Sequence, residues 1–569
     1  MPIRGGSNAY ECADRRRRQQ RVTLLVPEAS VLRIRPGSRV ETPLCRLAHR
    51  LAVISGWRRY GLAFLLGVCA TATLPPVDLT PLLLVAFTGL LWLDDGSTGP
   101  WASFRLGYAF GLGFFISGLY WIAAALFVDI ASFWWLVPVA AAGLPAAFAL
   151  YAAATLLATN LAVRQLRLPG AARIFAFAVA WTVAEWVRGH ALTGLPWNLI
   201  GYAWSGGFPG AILMLQSVAV LGIYGLSFLT VLAASLPALL GTTSLNPLSP
   251  GRRFAPAVAA GLLIVVPSLL GAVRLAATPT VETAYFLRIV QPSIPQTMKW
   301  EPAAAQRNFR LLLDLSSAPE TRKLAAVVWP EAATPFLLGR DADHRGEIAA
   351  VAAGRGYVIT GAVRTNPPPN PVAQVWNSIE AVDGNREIVA RYDKAHLVPF
   401  GEYMPLREVL PLQKITPGSL DYTAGPGPRT IELPGLPPFA PLICYEVIFP
   451  GAIVDEHDRP AWILNVTNDA WYGRTSGPYQ HFAIARTRAV EEALPLVRVA
   501  NNGVSGIVDG VGRVVARIDL DTVGYADLPL PADMLAPTPY SRGGDWILLA
   551  LLCLGLLPAA LTASRKRNI

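Results

Sequence analysis

The sequence predicts a multi-span α-helical membrane bundle joined to one water-soluble domain of α/β or layered αββα type. Three observations predict it. The 569 residues are 53% hydrophobic and only 15% charged, with a mean hydropathy of +0.41, too apolar for an ordinary soluble enzyme. Long apolar runs crowd the first half of the chain and return once near its end. Residues 276–540 have a different texture, with short β-rich runs separated by helical stretches.

Taken in order, residues 1–58 are Arg-rich and irregular, and no apolar h-region follows the arginines, so they read as a basic cytoplasmic tail and not as a cleaved signal. Residues 59–275 form a membrane domain of about seven helices, near 61–73, 80–93, 106–127, 133–160, 172–188, 211–240 and 255–273. The first two are short and suit a tilted hairpin. Gly107 and Gly111 stand one small-xxx-small step apart, which favours close helix packing in lipid. A last helix over 541–563 and a basic tail, 564–569, close the chain at about eight spans.

The net charge of +10 follows this topology. Basic residues gather in Arg15 to Arg18, on to Arg59, in Arg164, Arg167 and Arg173, in Arg252 and Arg253, and in Arg565, Lys566 and Arg567. The intervening loops hold few, so the positive-inside rule puts both termini in the cytoplasm and exports 276–540. The basic stretches lack interleaved aromatics and a nucleic-acid-binding motif, which excludes nucleic acid as a partner.

In the exported segment, strands are expected near 284–290, 324–329, 356–362, 386–392, 438–443, 461–466 and 495–499, with helices at 301–315 and 479–493. Of five cysteines, Cys12 and Cys45 fall in the tail, Cys69 and Cys553 in spans, and Cys444 alone in this domain. With no disulfide partner there, Cys444 is either a buried small apolar residue or a reactive thiol. It follows the strand Phe439 to Ile443, where a strand-to-helix turn projects a nucleophile and a helix N-terminus helps hold a thiolate.

Two more strands end in chemistry. Leu324 to Trp329 is stopped by Pro330 and delivers Glu331, a carboxylate that burial suits to serve as a base near neutral pH. Arg386 to Tyr392 delivers Lys394, one of five lysines, whose compact ammonium can stabilise an oxyanion. Singly, each is also what a solvated surface charge looks like.

Together the stretches Val328-Trp329-Pro330-Glu331, Tyr392-Asp393-Lys394-Ala395-His396-Leu397-Val398-Pro399-Phe400-Gly401-Glu402 and Ile443-Cys444-Tyr445-Glu446 resemble the Glu-Lys-Cys signature of the nitrilase superfamily. That resemblance implies an αββα-sandwich, nitrilase-like domain over 284–520. With spans on both sides, the chain resembles one branch in particular, the apolipoprotein N-acyltransferase family. Gln291-Pro292-Ser293-Ile294-Pro295-Gln296 leading to Lys299-Trp300 resembles the first strand and loop of that branch. Glu185-Trp186-Val187-Arg188-Gly189, Gly194-Leu195-Pro196-Trp197 and Gly201-Tyr202 resemble its membrane signature.

The resemblance implies a multi-pass enzyme of the bacterial inner membrane with its catalytic domain on the periplasmic side. It implies transfer of an acyl chain from a phospholipid donor, through a Cys444 thioester, to the α-amine of a diacylated apolipoprotein, with Glu331 as base and Lys394 as cation. No cofactor is implied. Glu402, Tyr445 and Glu446 match supporting positions, and Trp300, Trp197 and Arg188 resemble lipid-side contacts. Arg188 and Glu185, three residues apart on a helix, also have the spacing of an ion pair. Phe400 to Leu412, with Tyr403, Met404, Leu406, Val409 and Leu410, is either a lid dipping toward lipid or a loop packed on its own core.

Other signals carry less. The six histidines show no ligand spacing, so no metal is expected. Gly503-Val504-Ser505-Gly506 lacks the full serine-elbow pattern and reads as a strand turn, and Asn465-Val466-Thr467 is a sequon without force at a strand end. Two rivals stand beside the transferase: a tethered amidase that passes the acyl group to water, and a transporter whose soluble domain only binds ligand. The transporter needs polar or broken helices at midplane, and apart from Glu185 the spans hold almost no ionisable group.

Overall fold

The computed structural model describes residues 42–567 except 169, 242–253, 321, 368–371, 406, 410–413, 417, 419 and 534–535, with side chains as far as 557. The Arg15 to Arg18 run, Cys12, Arg252 and Arg253, and the lid candidates Leu406, Leu410 and Leu412, lie outside the described residues.

Among the described residues, five helical stretches are long and apolar enough to cross a membrane: Pro100–Leu136, Val139–Leu166, Gly170–His190, Val218–Gly241 and Ala255–Ala277. Gly56–Thr71 and Leu82–Asp95 have 16 and 14 residues. At a rise of about 1.5 Å per residue these two reach only some 20–25 Å, as the hairpin expectation requires. The stretch read as an irregular tail also contains a helix, Pro43–Ala52. Its Ala48 is buried, and Cys45 donates from its sulfur to the Leu240 carbonyl at 3.3 Å, so this Cys belongs to the bundle.

The small-residue step does what its spacing implies. A Cβ on Gly107 would lie 2.5 Å from the Ala152 carbonyl oxygen, and one on Gly111 would lie 2.8 Å from the Ala149 Cα, so these glycines set the contact of Pro100–Leu119 with Leu144–Leu166.

The run expected as one helix over 211–240 is instead broken into Ala211–Leu215 and Val218–Ser235, the second with non-helical Gly222 inside it (φ 64°). A broken membrane helix frees backbone donors that lipid cannot satisfy. Here Glu491 of the soluble domain accepts from the freed Ile223 N–H at 2.8 Å, and the Tyr540 ring packs where a Gly222 Cβ would stand. The break is a docking point for the soluble domain.

That domain holds two six-stranded sheets. One has β1 (Glu282–Gln291), β2 (Leu324–Val328), β3 (Tyr357–Thr365), β4 (Val375–Asp383), β5 (Ile388–Asp393) and, at its far edge, β12 (Gly524–Pro531), in the order β12-β1-β2-β3-β4-β5. The other has β6 (Ile431–Leu433), β7 (Leu436–Ile443), β8 (Trp462–Thr467), β9 (Leu496–Ala500), β10 (Ser505–Val508) and β11 (Val514–Ile518), in the order β11-β10-β9-β8-β7-β6. β1, β2 and β3 run parallel, as do β7, β8 and β9, because helices such as Pro302–Ser317 and Ser476–Glu492 carry the chain back between them.

Leu287, Ile289, Val328, Ile379, Phe439, Ile443, Trp462 and Val499 fill the space between the sheets. Pro302–Ser317 and Ala342–Ala352 cover the first sheet's outer face. Over the second, Phe482, Ile484 and Ala485 of Ser476–Glu492 join one continuous apolar core with Leu199, Tyr202 and Ile223 of the bundle. The expected αββα sandwich is therefore present, with its second helical layer shared with the membrane domain.

Packing this close leaves no room for side chains at the crossing. Gly107→Val should destabilise the protein by about 1–3 kcal/mol through overpacking. Thermal unfolding of the purified protein in detergent should show a clearly lower midpoint, while the same change at Gly261, which has open space around it, should not.

Candidate active site

The three candidate chemical groups stand at the C-terminal ends of β2, β5 and β7, where two strands of one sheet meet the neighbouring strand of the other. Glu331 follows β2 by three residues, Lys394 follows β5 directly, and Cys444 follows β7 directly. Gly361 of β3 allows the first approach: a Cβ there would lie 2.5 Å from both the Glu331 Cα and the Pro330 oxygen.

All three groups are buried. The Lys394 ammonium sits 2.9 Å from Glu402 and 3.8 Å from Glu331. The Asn377 amide bridges the two carboxylates, donating at 2.7 Å to Glu331 and 2.9 Å to Glu402. Burial alone would strip the charge from Lys394, yet Glu402 and Glu331 hold its ammonium far above the ordinary lysine value.

Cys444 has φ 51°, in the left-handed region that non-glycine residues avoid, so its sulfur is presented from a strained turn. Burial pushes the Cys444 thiol well up, Glu331 and Asp469 push it further, and Lys394 and a Thr467 hydrogen bond only partly offset this. This corrects one expectation. The following helix is a five-residue 3-10 turn, Cys444–Ile448, too short to hold a thiolate, and burial favours the neutral thiol.

Glu446 is a staple. Its Oε1 accepts from the Tyr392 hydroxyl (2.8 Å) and from the Ala395 and His396 N–H groups (2.7 and 3.1 Å), and its Oε2 accepts from the Ile443 N–H (2.7 Å). One carboxylate thus ties the loop carrying Lys394 to the turn carrying Cys444. Glu402 accepts from the Val398 N–H as well as from Lys394 and Asn377, which fixes its own loop.

Arg188 and Trp197, expected on the lipid side, are instead only 3% and 2% exposed. Arg188 donates to the Leu195 and Trp197 carbonyls (2.7 and 2.6 Å), and Glu185 accepts from Trp181 and from the Ile200 N–H, so each braces the 191–200 loop while their opposite charges attract one another. That loop in turn grips the site. The Gly194 carbonyl accepts from the Tyr445 hydroxyl (2.7 Å), and the Thr193 carbonyl lies 2.9 Å from His396 Nε2. The Trp197 indole N–H donates to Gln480.

Trp300 is half-buried and lines a cavity of about 650 Å³ between the 128–133 segment of the membrane domain and the 407–418 stretch. Within the lid candidate, Met404 is buried while Phe400 and Val409 are exposed, so its described part mixes the two alternatives.

Sequence reading missed four residues that the fold brings here. Lys299 donates from its ammonium to the Glu331 carbonyl at 2.8 Å, and burial lowers it to about 8 against the pull of Glu331 and Cys444. Its rarity as one of five lysines, beside the quoted Trp300, was the available signal. Asn377 lies on a strand whose buried polar residues hide its pattern. Asp469 and His481 lie with the Cys444 sulfur so that their ligand-type atoms are all within 4.8 Å of one another. That is the distance range of a metal site, but the donors are spent on protein: His481 Nδ1 meets Asp469 at 2.9 Å, His481 Nε2 meets the Cys444 carbonyl at 3.1 Å, and Arg498 bonds Asp469 at 2.8 Å. Asn465 of the formal sequon is fully buried beside them.

A buried thiol, a carboxylate and an ammonium so arranged have the parts of an acyl-transfer centre working through a covalent thioester. Comparison with known proteins agrees in kind. Residues 66–236 match the family model of the apolipoprotein N-acyltransferase N-terminal domain, and residues 287–539 match that of the carbon-nitrogen hydrolases. The chain is 40% identical to the apolipoprotein N-acyltransferase of Rhodopseudomonas palustris, over 92% of this chain and 98% of that one. It is also 40% identical to the enzyme of that name from Bradyrhizobium diazoefficiens, over 92% and 99%. A solved amidase of the nitrilase superfamily from Nesterenkonia AN1 aligns with 48% of this chain and 97% of its own at 18% identity and a TM-score of 0.34.

Two outcomes are expected from this geometry. Glu446→Ala leaves four donors, two of them fully buried, without an acceptor and should cost on the order of 3–5 kcal/mol, read as a lowered unfolding midpoint. Iodoacetamide should alkylate Cys444 more slowly at neutral pH than it does a free cysteine. Because the thiol is pushed up, its thiolate fraction grows about tenfold per pH unit, and the rate should still be climbing at about pH 9, where an ordinary thiol levels off. Mass spectrometry of the Cys444 peptide against pH measures this.

Proposed function

This chain belongs to the apolipoprotein N-acyltransferase family, and on that premise we propose that it moves an acyl chain from a phospholipid, through a Cys444 thioester, to the α-amine of a diacylglyceryl-cysteine at an apolipoprotein N-terminus. One observation carries the reading: a buried thiol stands at the strand ends within the field of a buried carboxylate and a buried ammonium, the parts that two successive acyl transfers require.

In the first half-reaction Glu331 takes the Cys444 proton as the sulfur attacks the donor ester carbonyl. Burial favours the neutral thiol, so thiolate arises only with attack, and Lys394 stabilises the oxyanion that forms. The intermediate collapses with loss of the lysophospholipid oxygen, which Glu331 reprotonates. In the second half the acceptor amine attacks the thioester, Glu331 receives the amine proton, and the sulfur leaves and recovers a proton as thiol.

Glu402 and Asn377 keep Lys394 charged and aimed, and the Trp300 cavity provides room for lipid at the boundary with the bundle. The alternation of basic loops supports placement in a bacterial inner membrane, with this domain on the periplasmic side.

Purified full-length protein given phospholipid and a diacylated lipopeptide should yield triacylated peptide. Cys444→Ala should abolish the product, and Glu331→Gln should slow it by about 10²–10⁴-fold, the span of one general acid–base group. Free fatty acid without triacylated peptide would instead mean that water is the acceptor.

A further inference from the structure

The buried group His481, Asp469 and Arg498 lies beside Cys444 and has no part in the proton transfers above. Both ring nitrogens of His481 face acceptors. Nε2 lies 3.1 Å from the Cys444 main-chain carbonyl, which can only accept. Nδ1 lies 2.9 Å from Asp469 Oδ1. The other Asp469 oxygen, Oδ2, takes a hydrogen bond from the Arg498 guanidinium at 2.8 Å, and all three side chains are at most 2% exposed.

A neutral imidazole has one N–H and one lone pair, so either tautomer would point a lone pair at one of these acceptors. Moving a proton onto Asp469 instead would leave the Arg498 charge buried without its carboxylate. A doubly protonated ring satisfies every contact. The groups facing it from the surrounding elements are Asp469 from the turn after β8, Arg498 from β9, Cys444 from the end of β7 and the Trp197 ring from the membrane loop, while the Thr467 hydroxyl of β8 donates to Asp469. Burial, the largest influence, and Arg498 push the ring's protonation below the ordinary histidine range, but the neutral ring they favour cannot satisfy both acceptor contacts, and those contacts decide against it. The Trp197 ring, with its centroid 5.4 Å away, is within cation–π range and favours the charged form.

We propose that His481 is held as a permanent imidazolium that pins the strained Cys444 turn through its carbonyl and stands as a second fixed cation beside the sulfur, favouring the thiolate as it forms. The charge-bearing ring has a nitrogen within 4.8 Å of Cys444 Sγ, so it acts on the sulfur directly as well as through the backbone. His481 is on this account a positioning residue for the proposed nucleophile. Trp197, carried by the membrane domain, gains a role as the cap on its charge. The inference rests on Cys444 as nucleophile, and its test needs no acyl donor, so failure of acyl transfer and failure of the imidazolium are told apart.

Two measurements decide it. In full-length protein carrying ¹⁵N-histidine in detergent, one of the six imidazoles should keep both nitrogens protonated at about pH 8.5, some two units above the ordinary histidine value. If all six are neutral there, the proposal is wrong, and this needs no variant to fold. In His481→Gln, which keeps an N–H for the Cys444 carbonyl but loses the charge, iodoacetamide alkylation of Cys444 should fall roughly tenfold at a given pH, a displacement of about one unit in the thiol profile. A profile identical to that of the unaltered protein would overturn the electrostatic role.

Discussion

One ammonium held between two carboxylates inside the protein governs the rest of this structure. A lysine taken out of water loses several kcal/mol of hydration, and Lys394 is tolerated because Glu402 and Glu331 stand 2.9 and 3.8 Å away and Asn377 bridges them. The grouping is built across elements distant in sequence: β2 delivers Glu331, β4 Asn377, β5 Lys394 and the following loop Glu402. The sandwich must close for any of these charges to be compensated. The same closure brings the Cys444 thiol into the field of the cluster, where in the proposed reaction it loses its proton only as it attacks.

The membrane domain takes part in this arrangement. Arg188 and Glu185, buried in a helix of the bundle, spend their hydrogen bonds on the 191–200 loop, and that loop accepts from Tyr445, the neighbour of Cys444. The broken helix at Gly222 takes Tyr540 against its backbone and gives its Ile223 N–H to Glu491, which burial pushes up to about 8. Bundle and sandwich share one apolar core, so lipid-embedded helices set the geometry at the strand ends. A centre working on lipid esters gains from this, since the bilayer side and the thiol are held in fixed relation.

Much of this was legible in the sequence because the parts that carry chemistry sit at element ends, where an apolar run stops and a charged residue follows. Glu331, Lys394 and Cys444 each do so. What escaped was buried polarity. β4 contains buried Asn377, Ser378 and Glu380, so neither an apolar run nor a clean alternation marks it, and the residue that bridges the two carboxylates went unseen. His481 lies in a helix whose buried face includes Gln480, Thr487, Arg488, Glu491 and Glu492, a composition that reads as solvated. Trp197 and Arg188 misled in the opposite sense. An aromatic and a cation near a span suggest the lipid boundary, but both serve the inside of the domain junction.

The claim on which everything turns is that acyl groups travel on the Cys444 sulfur. Intact-mass analysis of the protein after exposure to phospholipid alone, followed by removal of the donor and addition of a diacylated lipopeptide, tests it most directly. The account predicts a single acyl adduct located on Cys444 and released by neutral hydroxylamine, which disappears as the peptide gains the same mass. Product formed while the sulfur is never acylated, or an adduct that persists in the presence of the peptide, would contradict it.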